Sequence, residues 1–331
     1  MMNQFGYTHL TEADEITKNH TLQGKRVVIT GATTGLGLES AKHLSSIGAE
    51  IVMLGRTDTS LNEALAAVKK FTPNAELIPM TVDLSSLNSI REFANKFNNK
   101  YQHIDILINN AGVMALPEKT LTKDGIEAQF GINHLGHFLL TNLLWNALLN
   151  SSKPRVVTLS SAGHSISDVS IDDYNYETSI YEAWEAYGRS KSANALFAYE
   201  LAKRAKSKGV VSISLHPGNV GETQLARNMN DDVGSAWMKL VKQHAENYDI
   251  PEEKFWIDKA KTLSQGVATQ LFSALDDRLE AHNGKYLSDC GLAVLGENPH
   301  ANGYQAHIYD DKNAKKLWKL SETLTKQKFE V

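Results

Sequence analysis

KRVVITGATTGLGLESAKHLSSIGAEIVMLGR, residues 25 to 56, is the stretch on which the fold turns. Arg26 to Thr30 is a short β-branched run ending at Gly31. Gly35 and Gly37 follow, and apolar residues then recur at helical spacing through Leu38, Ala41, Leu44 and Ile47. Gly48 closes that helix, and Ile51 to Leu54 reads as a second buried strand. Glycines between strand and helix permit a tight turn and a close approach of backbone N–H groups to an anion, toward which the helix N-terminus adds about half a positive charge. A dinucleotide pyrophosphate fits that description. The spacing is G-x-x-x-G-x-G, not the commoner G-x-G-x-x-G, and three glycines alone would serve an ordinary turn equally well. The strand before them, the helix after and the second strand favour the cofactor reading.

Outward from this unit, strand and helix alternate. Leu61 to Phe71 is an amphipathic helix, Ala75 to Thr81 a strand running into Val82-Asp83-Leu84, and Ser86 to Tyr101 another helix. Ile104 to Asn109 is almost continuously apolar, as a strand covered on both faces of a parallel sheet must be. A long helical segment spans Asp124 to Asn150, a strand Arg155 to Ser160, a long helix Ala183 to Lys208, and strands Val210 to His216 and Lys285 to Ser288. About seven strands with helical crossovers make an α/β doubly wound parallel sheet, a Rossmann fold, in which ligands bind outside the carboxyl ends of the strands. Residues 1–23 read as an N-terminal extension and 24–331 as one domain. Within it, 218–261 fits no strand and reads as an insertion at the substrate site, with Trp237, Met238, Phe255 and Trp256 as candidate pocket walls or anchors. Residues 310–331 carry a basic amphipathic helix whose Leu317, Trp318, Leu320 and Leu324 would dock on the body.

A net charge of −4 gives no footprint for nucleic acid. Cys290 has no second cysteine to pair with, which points to a reducing compartment and a small buried side chain. The apolar run Phe138 to Leu149 is broken by Thr141, Asn142 and Asn146, too short to span a bilayer. The first twenty residues lack a secretory apolar core, so a cytoplasmic protein is expected. His134, His137 and His164 do not form a metal-binding spacing, and no metal is expected.

Four features follow strands at the carboxyl edge: Asn109-Asn110-Ala111-Gly112, Asn133 on an otherwise apolar helix, Ser160-Ser161, and Tyr187-Gly-Arg-Ser-Lys191. Tyr187 and Lys191 are four apart and share a helix face. A nearby ammonium, with an oxidised nicotinamide ring, favours the phenolate of a group that normally titrates near 10. Tyr187 would then be the acid in carbonyl reduction and the base in alcohol oxidation. Ser161 would hold the substrate oxygen, Lys191 would also bond the ribose, and Asn133 would fix a relaying water. The same helix offers Tyr199 and Lys203 at the same spacing, but about 18 Å further along, where Tyr199 should pack low against the sheet. Tyr174, Tyr176, Tyr181 and Trp184 either wall an apolar pocket or anchor a loop. At the end of the second strand a carboxylate would repel a ribose phosphate. Gly55 stands there and Arg56 follows, favouring NADP(H) with NAD(H) as the other candidate, while Asp58 could approach the ribose if the loop shifts.

Taken together, TGATTGLG (30–37), Asp83, NNAG (109–112), Asn133, Ser161, YGRSK (187–191) and HPG (216–218) resemble the short-chain dehydrogenase/reductase family, in its order and over about residues 24 to 290. GINHLGHFLLT, AYGRSKSANALFAYEL, GKYLSDC and LWKLSETL are similar to its retinol dehydrogenase-like and WW-domain-oxidoreductase-like branch. The resemblance implies Ser161, Tyr187 and Lys191 as the catalytic triad with Asn133 as fourth member, Gly31, Gly35 and Gly37 as the cofactor loop, and Asp83 and Asn109 at the adenine end. Thr33, Thr34, Leu36, Arg56, Leu84, Ala111, Gly112, Pro217, Gly218, Val220 and Thr223 complete the expected cofactor contacts. Relatives place a Thr where Glu222 stands. Either the loop carries one extra residue and Thr223 binds the carboxamide, or that contact is lost. The expected activity is hydride transfer between NADP(H) and a carbonyl or alcohol of a small apolar molecule. A non-catalytic dinucleotide-binding regulator and a sugar-nucleotide epimerase or dehydratase are the alternatives. Relatives pair through the helices at 124–150 and 183–208, which implies a homodimer unless the insertion obstructs it.

Overall fold

The computed structural model describes residues 2–250 and 260–331. A short helix α1 (Ala13–Thr17) precedes the opening unit of β1 (Arg26–Thr30), α2 (Gly35–Ser46) and β2 (Glu50–Gly55). α3 (Asp58–Phe71), β3 (Leu77–Thr81), α4 (Leu87–Lys100) and β4 (Ile106–Asn109) complete the first half. Next come α5 (Ala128–Phe130), a π-helical turn (Gly131–Leu135), α6 (Gly136–Leu143), α7 (Trp145–Leu149), β5 (Arg155–Leu159), α8 (Ala183–Arg204) and β6 (Val211–His216). The last part holds β7 (Asn219–Val220), α9 (Asp231–Asn247), β8 (Ala260–Lys261), α10 (Leu263–Leu275), β9 (Tyr286–Ser288), β10 (Gly291–Leu292), β11 (Val294–Leu295), β12 (Gly303–Tyr304) and α11 (Asp311–Thr325).

The main sheet runs β10-β9-β6-β5-β4-β1-β2-β3, parallel throughout except for β10 against β9. Strand order reverses between β1 and β4, which opens a crevice at their carboxyl ends. Val27 and Ile29 pack with residues of α2 and α10, whereas Val28 packs with residues of α4 and α6. Because both faces are covered, the strands read as unbroken apolar runs.

Three expectations are corrected. The sheet has eight strands, because the chain reverses at Asp289 and Cys290 (φ 50 and 54) and adds β10 antiparallel. The helix expected over 124–150 is broken at Leu144 (φ −95, ψ 3) and widened at a π-turn. The insertion does contain strand, since β7 pairs with β8 in parallel, and α9 lies between them. Phe255 and Trp256 fall outside the described residues.

Both ends of the chain enter the core. Ala13 and Ile16 are buried, Ala13 N–H donates to Ser264 Oγ (3.0 Å), and the Phe5 and Tyr7 rings lie 5.1 and 5.4 Å from Phe272. On α11, Leu317 and Trp318 are buried, with Trp318 5.1 Å from Phe138 of α6 and stacked on Phe197 of α8. A homodimer through α6 and α8 would have to use surface that α11 of the same chain leaves uncovered.

Candidate active site

The three glycines of the first turn do different jobs. Gly31 and Gly35 hold φ +63 and +52, the left-handed region that side chains disfavour. Gly37 is needed for space, since a Cβ there would lie 2.3 Å from the Gly31 carbonyl oxygen and 2.6 Å from Asn110 Nδ2. Thr30 ties the two sides of the crevice together: its Oγ1 accepts from the Asn110 N–H (2.8 Å) and the Ala111 N–H (3.0 Å), and its carbonyl accepts from Asn110 Nδ2 (2.8 Å). Ala111 faces Gly31 directly. Asn109 is wholly buried and donates to Thr141 Oγ1 (3.1 Å), so its side chain faces the helix layer. Asp83, past the end of β3, is held by Lys123 (2.8 Å) and Ser85 (2.7 Å), while Leu84 packs its carbonyl against Gly136.

At the end of β2, a Cβ on Gly55 would lie 2.7 Å from Thr33 Cγ2 and 3.0 Å from Leu61 Cδ2, so a side chain there would require those two to shift. Arg56 is exposed and makes no ion pair among the described residues. Asp58 opens α3 behind Thr57, which caps that helix by accepting from Ser60 N–H. Thr34 precedes the first residue of α2, and Leu36 and Val220 both pack toward Gly266 of α10.

Ser161, Tyr187 and Lys191 converge at the carboxyl ends of β4, β5 and β6. Ser161 and Tyr187 both border Gly163, where a Cβ would lie 3.4 Å from Ser161 Oγ and 2.7 Å from Tyr187 Cε1. Lys191 Nζ donates to the Leu159 carbonyl (3.2 Å) and lies 5.6 Å from the centre of the Tyr187 ring. Gly112 sits between Lys191 and Asn133, where a Cβ would be 3.6 Å from Lys191 Nζ and 3.1 Å from Asn133 Oδ1. Asn133 lies in the π-turn with both side-chain polar atoms engaged: Oδ1 accepts from Val113 N–H (2.8 Å), and Nδ2 donates to Val113 O and Ser190 Oγ (both 2.9 Å). Its side chain therefore clamps the 113 loop to α8. Burial pushes Tyr187 up to about 12, opposed by the neighbouring Ser161 hydroxyl, and burial alone brings Lys191 down to about 8. In the chain's own groups desolvation is the largest influence on both.

A family model for short chain dehydrogenase matches residues 25–234. The chain belongs to the short-chain dehydrogenase family. Over 305 residues it is 37% identical to Retinol dehydrogenase 11 of Mus musculus, covering 92% of this chain and 87% of that protein. Retinol dehydrogenase 13 of Homo sapiens is 38% identical over 305 residues, covering 92% of this chain and 85% of that protein. Among solved structures, a protein from Mycobacterium Paratuberculosis is 30% identical with a TM-score of 0.70, covering 95% of this chain and 98% of that one. The chain is accordingly a nicotinamide-dinucleotide-dependent oxidoreductase of the retinol dehydrogenase-like kind.

The short-chain dehydrogenase site also uses residues that the sequence did not single out. Gly163 is one: a Cβ there would lie 2.7 Å from Tyr187 Cε1, so only glycine admits the tyrosine ring. Its N–H also donates to Ser161 Oγ (3.1 Å). A glycine two residues past the serine was the visible signal. Tyr286 Oη–H donates to the Ser161 carbonyl (3.0 Å), bracing the strand end from β9. Trp184 stacks on Trp237 of α9 (4.4 Å), meets Tyr187 edge-on (6.1 Å) and donates to the Val233 carbonyl (2.9 Å), so these two tryptophans wall the space beside the tyrosine. Tyr174 and Tyr176 are anchors, packed on Phe130 and beneath Arg189, and Tyr181 Oη–H donates to the Leu116 carbonyl (2.9 Å). Met238 is exposed. Tyr199 does not pack against the sheet as expected; it bonds Asp311 (2.8 Å) at the α8–α11 seam.

Beyond β6, Glu222 Oε1 accepts from the Leu263 N–H at the start of α10 (3.3 Å), while the Thr223 methyl lies 3.5 Å from where a Gly35 Cβ would stand. Thr223, and not Glu222, faces the glycine loop. Gly218 (φ +93) is overlaid by the stem of Lys261, whose ammonium donates to Asp289 Oδ1 (2.6 Å). Asn3 Nδ2 in turn donates to the Asp289 carbonyl (2.9 Å).

Glu127 caps the segment that carries Asn133, accepting from the N–H groups of Gln129 (2.8 Å) and Phe130 (2.7 Å). Burial raises its carboxyl to about 7 despite those bonds. An acid with a folded pKa above its unfolded one supports the fold while protonated, and that support is lost as pH rises through the folded pKa. The Tm of wild type relative to Glu127→Gln is therefore expected to fall between about pH 4.5 and about pH 7. A constant difference across that window would show that Glu127 does not titrate there.

Proposed function

We propose that this short-chain dehydrogenase moves hydride between NADP(H) and a carbonyl or alcohol of a small apolar substrate. The observation that carries the reading is the convergence of Ser161, Tyr187 and Lys191 beside an apolar wall at the carboxyl end of β5. The nicotinamide, when bound, gives or takes the hydride. Ser161 Oγ holds the substrate oxygen, and Tyr187 gives it a proton in reduction or removes one in oxidation. Lys191 orients the ribose and, as a cation beside the ring, favours the phenolate needed for oxidation. Gly31, Gly35 and Gly37 leave a cradle that any Cβ would strain or fill, and it suits a pyrophosphate at the α2 N-terminus. Thr223 would meet the carboxamide end, with Val220 and Leu36 packed toward α10. Asp83 and the backbone of 109–112 border the adenosine side.

NADP(H) is favoured over NAD(H) by Arg56, an exposed guanidinium next to Gly55, where a carboxylate would otherwise repel the ribose phosphate. No observation favours the regulator or the epimerase and dehydratase readings. The test is oxidation of NADPH and NADH against apolar aldehydes and ketones, followed by nicotinamide absorbance. Arg56→Ala should raise the KM for NADPH about tenfold, as loss of one charge-assisted phosphate contact would, and change that for NADH less than twofold. Equal changes for both nucleotides would mean that Arg56 does not meet the ribose phosphate.

A further inference from the structure

The ladder between β5 and β6 ends at Leu159 and Leu215, with one last bond from the Ser160 N–H to the Leu215 carbonyl (2.8 Å). Ser161 stands just past the sheet, and the peptide that joins it to Ala162 has no strand beside it. Backbone groups in such a place must find other partners. Side chains from three parts of the chain supply them. The Ser161 carbonyl accepts from His164 Nδ1 (2.6 Å) and from Tyr286 Oη–H (3.0 Å), besides the His164 N–H of the short helical turn that follows (3.1 Å). The Ala162 N–H donates to Nδ1 of His216, the last residue of β6 (3.1 Å).

Backbone donors fix the proton on each ring. His164 Nε2 accepts the Gln305 N–H (3.2 Å), so the His164 proton is on Nδ1, where it meets the Ser161 carbonyl. His216 is the reverse, because it accepts on Nδ1 and carries its proton on Nε2. Both rings are buried, and burial keeps them neutral, His164 down at about 4 and His216 well below the usual imidazole value. Two histidines in opposite tautomers thus grip the two polar atoms of one peptide plane. That plane contains the Ser161 Cα. With it held, the serine side chain keeps only its rotation about Cα–Cβ, which the Gly163 N–H restrains by donating to Oγ (3.1 Å). Because Oγ accepts there, its own O–H points elsewhere, as a donor to a substrate oxygen requires.

We infer that His164 and His216 are positioning residues for Ser161, and that the Nδ1–H of His164 sets the aim of the serine hydroxyl. This rests on the oxidoreductase reading above and adds two residues that act through the serine without touching substrate. Gln305 takes part as well: its backbone N–H selects the His164 tautomer, and its Nε2 donates to Tyr248 Oη at the end of α9 (2.8 Å). The segment after β12 therefore ties the helix that carries Trp237 to the mount of the serine.

Asn offers a donor where His has Nδ1, and Gln offers one where His has Nε2, so the two substitutions separate the two nitrogens. The test uses the full-length enzyme with NADPH and decanal or benzaldehyde, whichever wild type reduces faster. Single-turnover hydride transfer should fall about tenfold in His164→Leu and in His164→Gln, the effect of one lost hydrogen bond expressed in the barrier, and stay within about threefold of wild type in His164→Asn. The Kd for NADPH should change less than about twofold in all three. In a Ser161→Ala background His164→Leu should cause no further loss, because its effect runs through the serine. Tyr286→Phe, which removes the second donor and keeps the ring, carries the comparison should the His164 variants not fold. Rates that follow Tm across the variants, equal losses in the Asn and Gln proteins, or a loss that persists without the serine hydroxyl would overturn the positioning role and leave a structural one. Unchanged rates in every variant would do the same. If wild type reduces no carbonyl compound, the oxidoreductase reading fails instead. Histidine-selective nitrogen NMR then still decides the clamp, which requires Nδ1–H on His164 with Nε2–H on His216 and is overturned by any other pair of tautomers.

Discussion

Tyr187→Phe is expected to lower kcat for carbonyl reduction roughly a thousandfold, within the range of a lost general acid, while NADPH binding stays within about threefold of wild type. The ring would keep its slot, since Gly163 makes room for it on one side and Trp184 meets it on another. Only the phenolic hydroxyl is lost, so the damage should fall on kcat. The pH dependence adds a second reading. With Tyr187 held up to about 12, the acid form needed for reduction is present at neutral pH, whereas oxidation needs the phenolate and should climb as pH rises. Stopped-flow hydride transfer and nucleotide titration on the same preparation measure both. A kcat within tenfold of wild type would remove Tyr187 from the chemistry.

Gly37→Ala should abolish measurable NADPH binding, at least a hundredfold in Kd, and lower stability by about 2 kcal/mol or more, as overpacking against fixed atoms does. The added methyl would fall 2.3 Å from the Gly31 carbonyl oxygen, and that atom belongs to backbone with no rotamer to escape into. To make room, the glycine loop must move off α2, away from the geometry that aims its N–H groups at an anion. Gly234→Ala is the control: nothing lies within 4 Å of its would-be Cβ, it sits inside α9, and a small gain in stability is expected. Differential scanning fluorimetry with and without NADPH reads both variants. A Gly37→Ala protein stabilised by NADPH as wild type is would show that the loop tolerates the shift.

Most of the fold could be read from residue pattern, because a parallel sheet covered on both faces writes itself as unbroken apolar runs such as Val27 to Ile29 and Ile106 to Ile108. What escaped was local. β10 follows a turn built on Asp289 and Cys290, both left-handed, where sequence reasoning looks for glycine. The π-turn around Asn133 carries the same apolar spacing as a helix over so short a span, so periodicity could not reveal it. Of the site, the Ser161, Tyr187 and Lys191 constellation was legible because Ser161 follows β5 directly and Tyr187 and Lys191 stand four apart near the start of α8. Gly163 was not, because its importance lies in a ring from another element. The ambiguity at Glu222 and Thr223 needed three dimensions: only the placement of α10 shows which of the two turns toward the glycine loop.

The linkage from Asn3 to Asp289, from Asp289 to Lys261, and from Lys261 onto Gly218 joins positions 286 apart in the chain at its outermost contact. Its consequence concerns the order in which the protein comes into being. On the ribosome, the opening βαβ unit can assemble its pyrophosphate cradle once β4 has emerged. The segment proposed to hold the nicotinamide has no brace until β9 is made, and the first residues must wait for that strand. Assembly is governed by contacts of long sequence separation, which are slow to close and leave apolar surface waiting. A nascent chain of this protein would thus acquire the half that grips the nucleotide's phosphates well before the half where hydride is exchanged.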